Sequence, residues 1–233
     1  MNVIQGNGFV AEIIRSSKRK TSAIKIQRGK VFIIVPVQLS FTAIESLVSK
    51  KNRWIQEKLD MQNAVCAIKP KEFIAGEVFS YLGKNLPLKI VLGLYPSIKL
   101  HQEELVVCVR DNFADNTKAI KQLLIKWFKQ QAETQLREKT EHYAKIIGVN
   151  PSSITIKSFK ARWGSCSFTA AIKYNWKIII APDPIINYLV IHELCHILHH
   201  NHSHAYWKEV EKYCPDYRKC GAWLKTNGVL LEI

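Results

Sequence analysis

The stretch His192-Glu193-Leu194-Cys195-His196 constrains this chain more than any other. It lies in an apolar run, with Tyr188-Leu189-Val190-Ile191 before it and Ile197-Leu198 after it. No glycine or proline interrupts Ile185 to Asn201, so the pattern predicts a helix. Residues four apart on a helix share a face, so His192 and His196 can each aim a ring nitrogen at one metal ion. Neutral imidazoles suit zinc, at roughly 2.0–2.1 Å from each nitrogen. Glu193 follows the first histidine and leans toward the same cleft. There it can take a proton from a metal-activated water and pass it to a leaving amine. The expected chemistry is metal-assisted hydrolysis of a peptide bond.

A buried helix with two satisfied histidines is the bland alternative. Against it, six of the eight histidines crowd into the thirteen positions from His192 to His204. Glu193 also places a carboxylate in an apolar segment, where an unpaired charge is costly. A catalytic zinc takes three protein ligands and keeps one open position, so a third ligand must follow. Asn201-His202-Ser203-His204 comes next, and Asn and Ser favour a helix stop and a turn. His202, ten residues after His192, is the first choice; His204 is the second, and Glu209 or Glu211 is a weaker one. The longer motif with a glycine at position 199 is not met, because His199 stands there. His199 and His200 fall on other helix faces and read as surface or supporting groups.

A length of 233 residues with 47% hydrophobic content allows one large or two small domains with a proper core. No apolar run is long enough for a membrane span, and the first residues lack a secretory signal. Six cysteines without a framework spacing read as reduced thiols, so a cytoplasmic location is expected. The net charge is +15. Residues 1–112 carry 17 basic and 9 acidic groups and residues 113–233 carry 17 and 10, so the charge is spread. A lysine-rich solvated surface explains this slightly better than a nucleic-acid partner.

The expected fold class is α+β. Residues 1–112 read as a β-rich N-terminal region with one helix, and residues 113–233 as a domain with a small sheet packed on the metal helix. Strands are expected at 8–14, at 23–26 and 31–35 around Arg28-Gly29, and in four short runs between Val78 and Val109, with a hairpin turn at Gly83-Lys84-Asn85. Ser40 caps a helix from Phe41 to about Asn63, with Ile44, Leu47, Val48, Trp54, Ile55 and Leu59 on one side. Asp111 to Thr117 marks the boundary, and a long helix from about Thr117 to Ile147 ends at Gly148. Strands follow at 154–157 and 172–180, separated by the dense turn Arg162-Trp163-Gly164-Ser165-Cys166-Ser167. Asp183 and Pro184 cap and open the metal helix. Two short helices, about 206–213 and 216–225, close the chain.

A collinear set of motifs over roughly residues 155–225 resembles the YgjP-like metallopeptidases and, more distantly, the SprT-like group. It comprises Arg162 to Ser167, Tyr174-Asn175-Trp176, His192 to His196, Asn201-His202-Ser203 with Tyr206-Trp207, Tyr213-Cys214-Pro215-Asp216-Tyr217 and Ala222-Trp223-Leu224. The resemblance implies one zinc ion on His192, His196 and His202, with Glu193 as the catalytic acid and base. It favours His202 over His204, because the family's Asn-His-Ser pattern falls on residues 201–203.

Arg162 is a candidate to pair with a carboxylate in the cleft, although an architectural role for its motif is at least as natural. Tyr206 and His204 are candidates to stabilise the oxyanion. The strand from Tyr174 to Ile180 is expected to border the cleft and to pair with an extended peptide. Three readings compete: a zinc endopeptidase acting on protein or peptide substrates, a nucleic-acid-associated peptidase acting on DNA-bound proteins, and a non-catalytic zinc module. The DNA link is one that the SprT-like resemblance implies.

Overall fold

Alternating apolar residues build two four-stranded sheets of one design, each followed by a long helix. The computed structural model describes residues 2–27, 29–67, 69–110 and 117–233, apart from the side chains of residues 61, 62 and 64–67. The chain is α+β and falls into two units, Met1–Pro70 and Lys71–Ile233.

In the first unit the strands are β1 (Val3–Gln5), β2 (Val10–Ser16), β3 (Ala23–Gln27) and β4 (Lys30–Pro36). Their order is β1-β2-β4-β3, with β2 and β4 parallel and the outer pairs antiparallel. One face of the sheet (Ile4, Ala11, Ile13, Val31, Ile33 and Val35) shares a core with Ile44, Val48 and Ile55 of helix α1 (Phe41–Ala67). Ser40 caps α1, its Oγ accepting from the Ala43 N–H at 3.3 Å. Trp54 departs from expectation. It is 39% exposed, because it sits one residue off the line through Ile44, Val48 and Ile55. Arg28, expected in the β3–β4 turn, lies outside the described residues.

In the second unit, β5 (Val78–Tyr81), β6 (Lys84–Leu92), β7 (Ser97–His101) and β8 (Glu104–Val109) repeat the pattern, in the order β5-β6-β8-β7 with β6 and β8 parallel. Helix α2 (Thr117–Ile147) follows. The β5–β6 turn falls at Leu82-Gly83, where both φ angles are positive (51° and 77°), one residue earlier than expected. This turn seats against the approach to the helix that carries His192 and His196, α3 (Asp183–Leu198). The Leu82 N–H donates to the Ile179 carbonyl at 2.8 Å, and a Cβ on Gly83 would lie 2.8 Å from the Pro182 Cα. The division expected at 112/113 lies outside the described residues, whereas β5–β8, α2 and α3 share one core.

Helix α2 buries a stripe four residues apart, Ile120, Leu124, Phe128, Ala132, Leu136, Thr140 and Ala144. Lys139 reaches from α2 to Asp183 (2.8 Å) and Asn187 (2.8 Å), holding the first turn of α3. Asp183 is the first residue of that helix, and Pro182 occupies the cap. A third sheet comprises β9 (Ser153–Lys157), β10 (Gly164–Cys166) and β11 (Ala171–Asn175), in the order β10-β11-β9. The strand expected at 172–180 is β11 followed by a 3-10 helix, Trp176–Ile180. Ile178, Ile179, Ile180 and Ala181 are all buried, which a strand alternating between two faces does not achieve beside a solvated side. Part of the expected turn at 162–167 is the strand β10. The chain closes with α4 (His204–Tyr213), α5 (Tyr217–Asn227) and a short 3-10 turn. Among the described residues no helix is long and apolar enough to cross a membrane.

Candidate metal centre

Helix α3 is apolar almost all round and buried along most of its length, so its two histidines are displayed from a rigid rod. His202 is brought to them by the turn that follows. The Ser203 N–H donates to Asn201 Oδ1 (3.2 Å), and Ser203 Oγ caps α4 by accepting from the Tyr206 N–H (3.4 Å). His192, His196 and His202 each offer a nitrogen, and these three atoms lie within 4.8 Å of one another. His192 Nε2 and His202 Nε2 are 3.3 Å apart. A tetrahedral site with bonds of 2.0–2.1 Å has edges of about 3.3–3.4 Å, so this pair is already spaced for one ion.

The remaining ring atoms orient the donors. His196 Nδ1 lies 3.1 Å from the His199 carbonyl, which fixes the tautomer with its proton on Nδ1 and leaves Nε2 as a lone-pair donor. His192 Nδ1 is buried without a hydrogen-bond partner among the described residues, and the polar contact of that ring runs through Nε2 to His202. Burial, then the neighbouring His196 and His202, push the His192 pKa down to about 3. Burial lowers that of His196 as well. Both rings are therefore neutral near pH 7, the form that ligates metal. Aromatic rings clamp the set. Tyr206 stacks on His196 (centroids 4.5 Å apart, 23° between planes), and Trp207 stacks on His202 (5.4 Å, 22°), backed by Tyr217 (5.2 Å, 16°).

Glu193 is 4% exposed and faces the same cleft. Burial pushes its carboxyl up to about 8, opposed by the positive charge of Arg162. Arg162 makes no ion pair within 4.0 Å of it; its guanidinium lies over the Phe159 ring at 5.8 Å. A buried carboxyl with no ion-pair partner among the described residues, beside three convergent imidazoles, fits a divalent ion on both counts.

The opposite wall is β10, and here the Arg162–Ser167 motif acquires a physical reason. A Cβ on Gly164 would lie 2.3 Å from Glu193 Oε1 and 2.8 Å from its Cδ and Cγ, so any side chain here would displace the carboxyl. Buried Asn175 holds the approach to β10. Its Nδ2 donates to the carbonyls of Phe159 (3.1 Å) and Arg162 (3.4 Å), and its N–H to that of Trp163 (2.7 Å). Tyr174 and Trp176 anchor further out, through hydrogen bonds to Thr140 (3.1 Å) and Ser158 (2.9 Å).

The cleft encloses about 290 Å³. Gly164, Ser165, Cys166 and Phe168 line one side; His192, Glu193, His196, His200 and His202 line the other. Of the residues expected at the site, the three metal candidates and Glu193 meet there. His204 is exposed at the start of α4 and Tyr206 is fully buried, its hydroxyl donating to the His192 carbonyl (3.0 Å), so neither lines the cleft. Glu209 pairs with Lys212 (3.7 Å), and neither Glu209 nor Glu211 joins the metal group. Gly164, Ser165 and Cys166 of the dense motif, with Phe168 and His200, also line the cleft, and the sequence does not single them out one by one. The glycine and cysteine inside a dense motif were a signal; nothing local marked Phe168.

The chain belongs to the YgjP-like metallopeptidase family, whose metallopeptidase-domain model matches residues 20–227. Membership implies a divalent metal, and the cluster of His192, His196 and His202 can hold one. Among solved structures, the crystal structure of the metallopeptidase zymogen of Pyrococcus abyssi abylysin is similar, with a TM-score of 0.36 and 24% identity, covering 39% of this chain and 92% of that one. No curated protein matches the chain.

Proposed function

We propose that the chain is a zinc-dependent endopeptidase that holds one ion on His192, His196 and His202 and uses Glu193 first as general base and then as general acid. The observation that carries this reading is the convergence of three histidine nitrogens and one buried carboxyl on a single cleft. Among the described residues the metal group has three members, which leaves a coordination position open, as a catalytic zinc needs and a purely structural one does not. When bound, the ion supplies Lewis-acid chemistry, polarising the scissile carbonyl and acidifying water.

The chain's own residues do the rest. Glu193 takes the proton released by the attacking water and delivers it to the leaving nitrogen. Gly164 confines that carboxyl to one side of the cleft. Strand β10 aligns the peptide. Trp163 and Ser167 both hydrogen-bond through their backbones to β11, the first accepting from Asn175 and the second donating to Ala171. By strand alternation, the N–H and C=O groups of Gly164 and Cys166 point to the free edge. The central position of β11 in its sheet rules out the edge expected at Tyr174–Ile180; β10 is the edge open to an extended peptide.

Glu193→Gln tests the assignment. Loss of cleavage with metal retained is expected; undiminished cleavage would overturn the role of Glu193.

A second reading concerns the N-terminal unit. Residues 1–70 carry 12 basic and 4 acidic groups, a net +8, while the longer second unit carries +7. Lys50, Lys51 and Arg53 are exposed on α1, and exposed Trp54 lies one turn beyond the two lysines. An aromatic among cations suits a nucleic acid, which would bring the peptidase to proteins bound there. The test is binding of DNA by the full chain, with an affinity that falls steeply with salt.

A further inference from the structure

We propose that Phe168, backed by His200, forms a subsite that receives an apolar side chain of the substrate on one side of the cut bond. The inference rests on the peptidase reading above and deepens it by naming a substrate class. Phe168 is 85% exposed, although it lines the same cleft as Glu193 and the three histidines. A lone exposed apolar residue on a mobile tip would mean little. Phe168 is instead carried by a turn held down on every side. Within it, Ser167 Oγ bonds to Thr169 Oγ1 (2.9 Å) and accepts from the Ala171 N–H (3.1 Å), and the Ala170 N–H donates to the Ser167 carbonyl (3.0 Å). From outside, the Ser152 side chain donates to the Thr169 carbonyl (2.6 Å) and its N–H to that of Ala170 (2.9 Å). Ala170 takes a left-handed φ of 57° to close the turn.

The ring of Phe168 lies 4.5 Å from that of His200, tilted by 50°, so the two form an angled wall rather than a stack. His200 comes from just beyond the end of α3, one turn past His196, and Phe168 from just beyond β10. The pair thus bridges the two walls of the cleft at its mouth. A peptide laid along the free edge of β10 runs from Gly164, which abuts Glu193, toward this wall. Phe168 and Glu193 line one cleft of about 290 Å³, so a side chain near the cut bond meets the pair. The wall offers an aromatic face and an imidazole face. It therefore suits Leu, Met or an aromatic residue. Covering Phe168 with such a side chain removes apolar surface from water, which polar substrates cannot do.

The test digests a mixed peptide library with the metal-loaded full chain and profiles the cleaved positions by mass spectrometry. Wild type is expected to favour apolar residues at one fixed position beside the cut. The ratio of kcat/KM for a Leu peptide over its Ala counterpart should fall about tenfold in Phe168→Ala and survive in Phe168→Leu. A second readout needs no catalysis: metal-free wild type should bind a fluorescent Leu peptide more tightly than the Ala peptide, and Phe168→Ala should bind both alike. A wild type without apolar preference in cutting or binding, or a preference intact in Phe168→Ala, overturns the subsite. Preferential binding that depends on Phe168, without any cleavage, keeps the subsite and overturns the peptidase reading.

Discussion

Substituting Gly164 by Ala tests how the cleft positions its carboxyl. The added Cβ would sit 2.3 Å from Glu193 Oε1, and real Cβ contacts essentially never fall below 3.0 Å, so at least 0.7 Å must open. The strand has little freedom to give, since β10 is paired residue by residue with β11 and Asn175 ties down its approach. Helix α3 is packed on nearly every face. The Glu193 side chain is the part that moves, by about the distance that costs an enzyme on the order of a hundredfold when a reacting group is misplaced. Gly164→Ala is therefore expected to lower kcat/KM on a peptide about 100-fold, chiefly through kcat. Metal content should be retained, because no histidine is touched. Overpacking should cost about 1–3 kcal/mol, a fall in Tm of several degrees. The assay measures kcat and KM, metal by elemental analysis and Tm on one preparation. A double-mutant comparison sharpens it: in a Glu193→Gln background the same substitution should reduce residual activity little further. Wild-type kcat/KM in Gly164→Ala, or full additivity in the double mutant, would refute the reasoning.

Other expectations follow from neighbouring contacts. Tyr206→Phe removes one hydrogen bond to the His192 carbonyl, so about 1 kcal/mol of stability should be lost in urea titration with cleavage within a few fold. A hundredfold loss with metal retained would return the hydroxyl to the reaction. Trp207→Ala strips the ring stacked on His202 and should weaken zinc binding about tenfold or more by competition with a chelator; unchanged affinity would make the stack incidental. Asn175→Ala leaves the Phe159 and Arg162 carbonyls without their donor and should cost about 2–4 kcal/mol in urea titration; a loss under 0.5 kcal/mol would contradict the anchoring role. Burial, then the charge of Glu193, push the Cys166 thiol up to about 11. Only the thiolate alkylates, so in metal-free protein Cys166 should react with iodoacetamide about a hundredfold slower at pH 7 than a free thiol. The rate should rise about tenfold per pH unit toward pH 10, and a plateau near pH 8 would contradict that shift.

The convergence of His192, His196 and His202 is legible in the sequence because its geometry is local. Two lie one helical turn apart, and the third follows a turn spelled by Asn201 and Ser203. Glu193 was legible for the same reason. The second wall was not, because β10 reaches α3 only through tertiary packing. Gly164 reveals its purpose only when Glu193 is seen against it, and Phe168 only when the β10–β11 turn is seen beside His200. Tyr206 read as a cleft group because it is polar and close in sequence, yet its ring is consumed in packing on His196 and its hydroxyl in the His192 carbonyl. Residues 176–180 carry the β-branched composition of a strand, but burial on all sides favours a 3-10 turn there. The hairpins were readable from alternation and turns. The parallel pairings β2–β4 and β6–β8, which give both sheets one order, depend on contacts that no local pattern records.

The central claim is that His192, His196 and His202 hold one zinc ion. Elemental analysis of the purified full chain, wild type beside His202→Ala, tests it most directly. The account predicts about one zinc per wild-type chain and a sharp loss in the variant, with the fold kept by circular dichroism. Full zinc in His202→Ala, or no metal in the wild type after zinc is supplied, would contradict it.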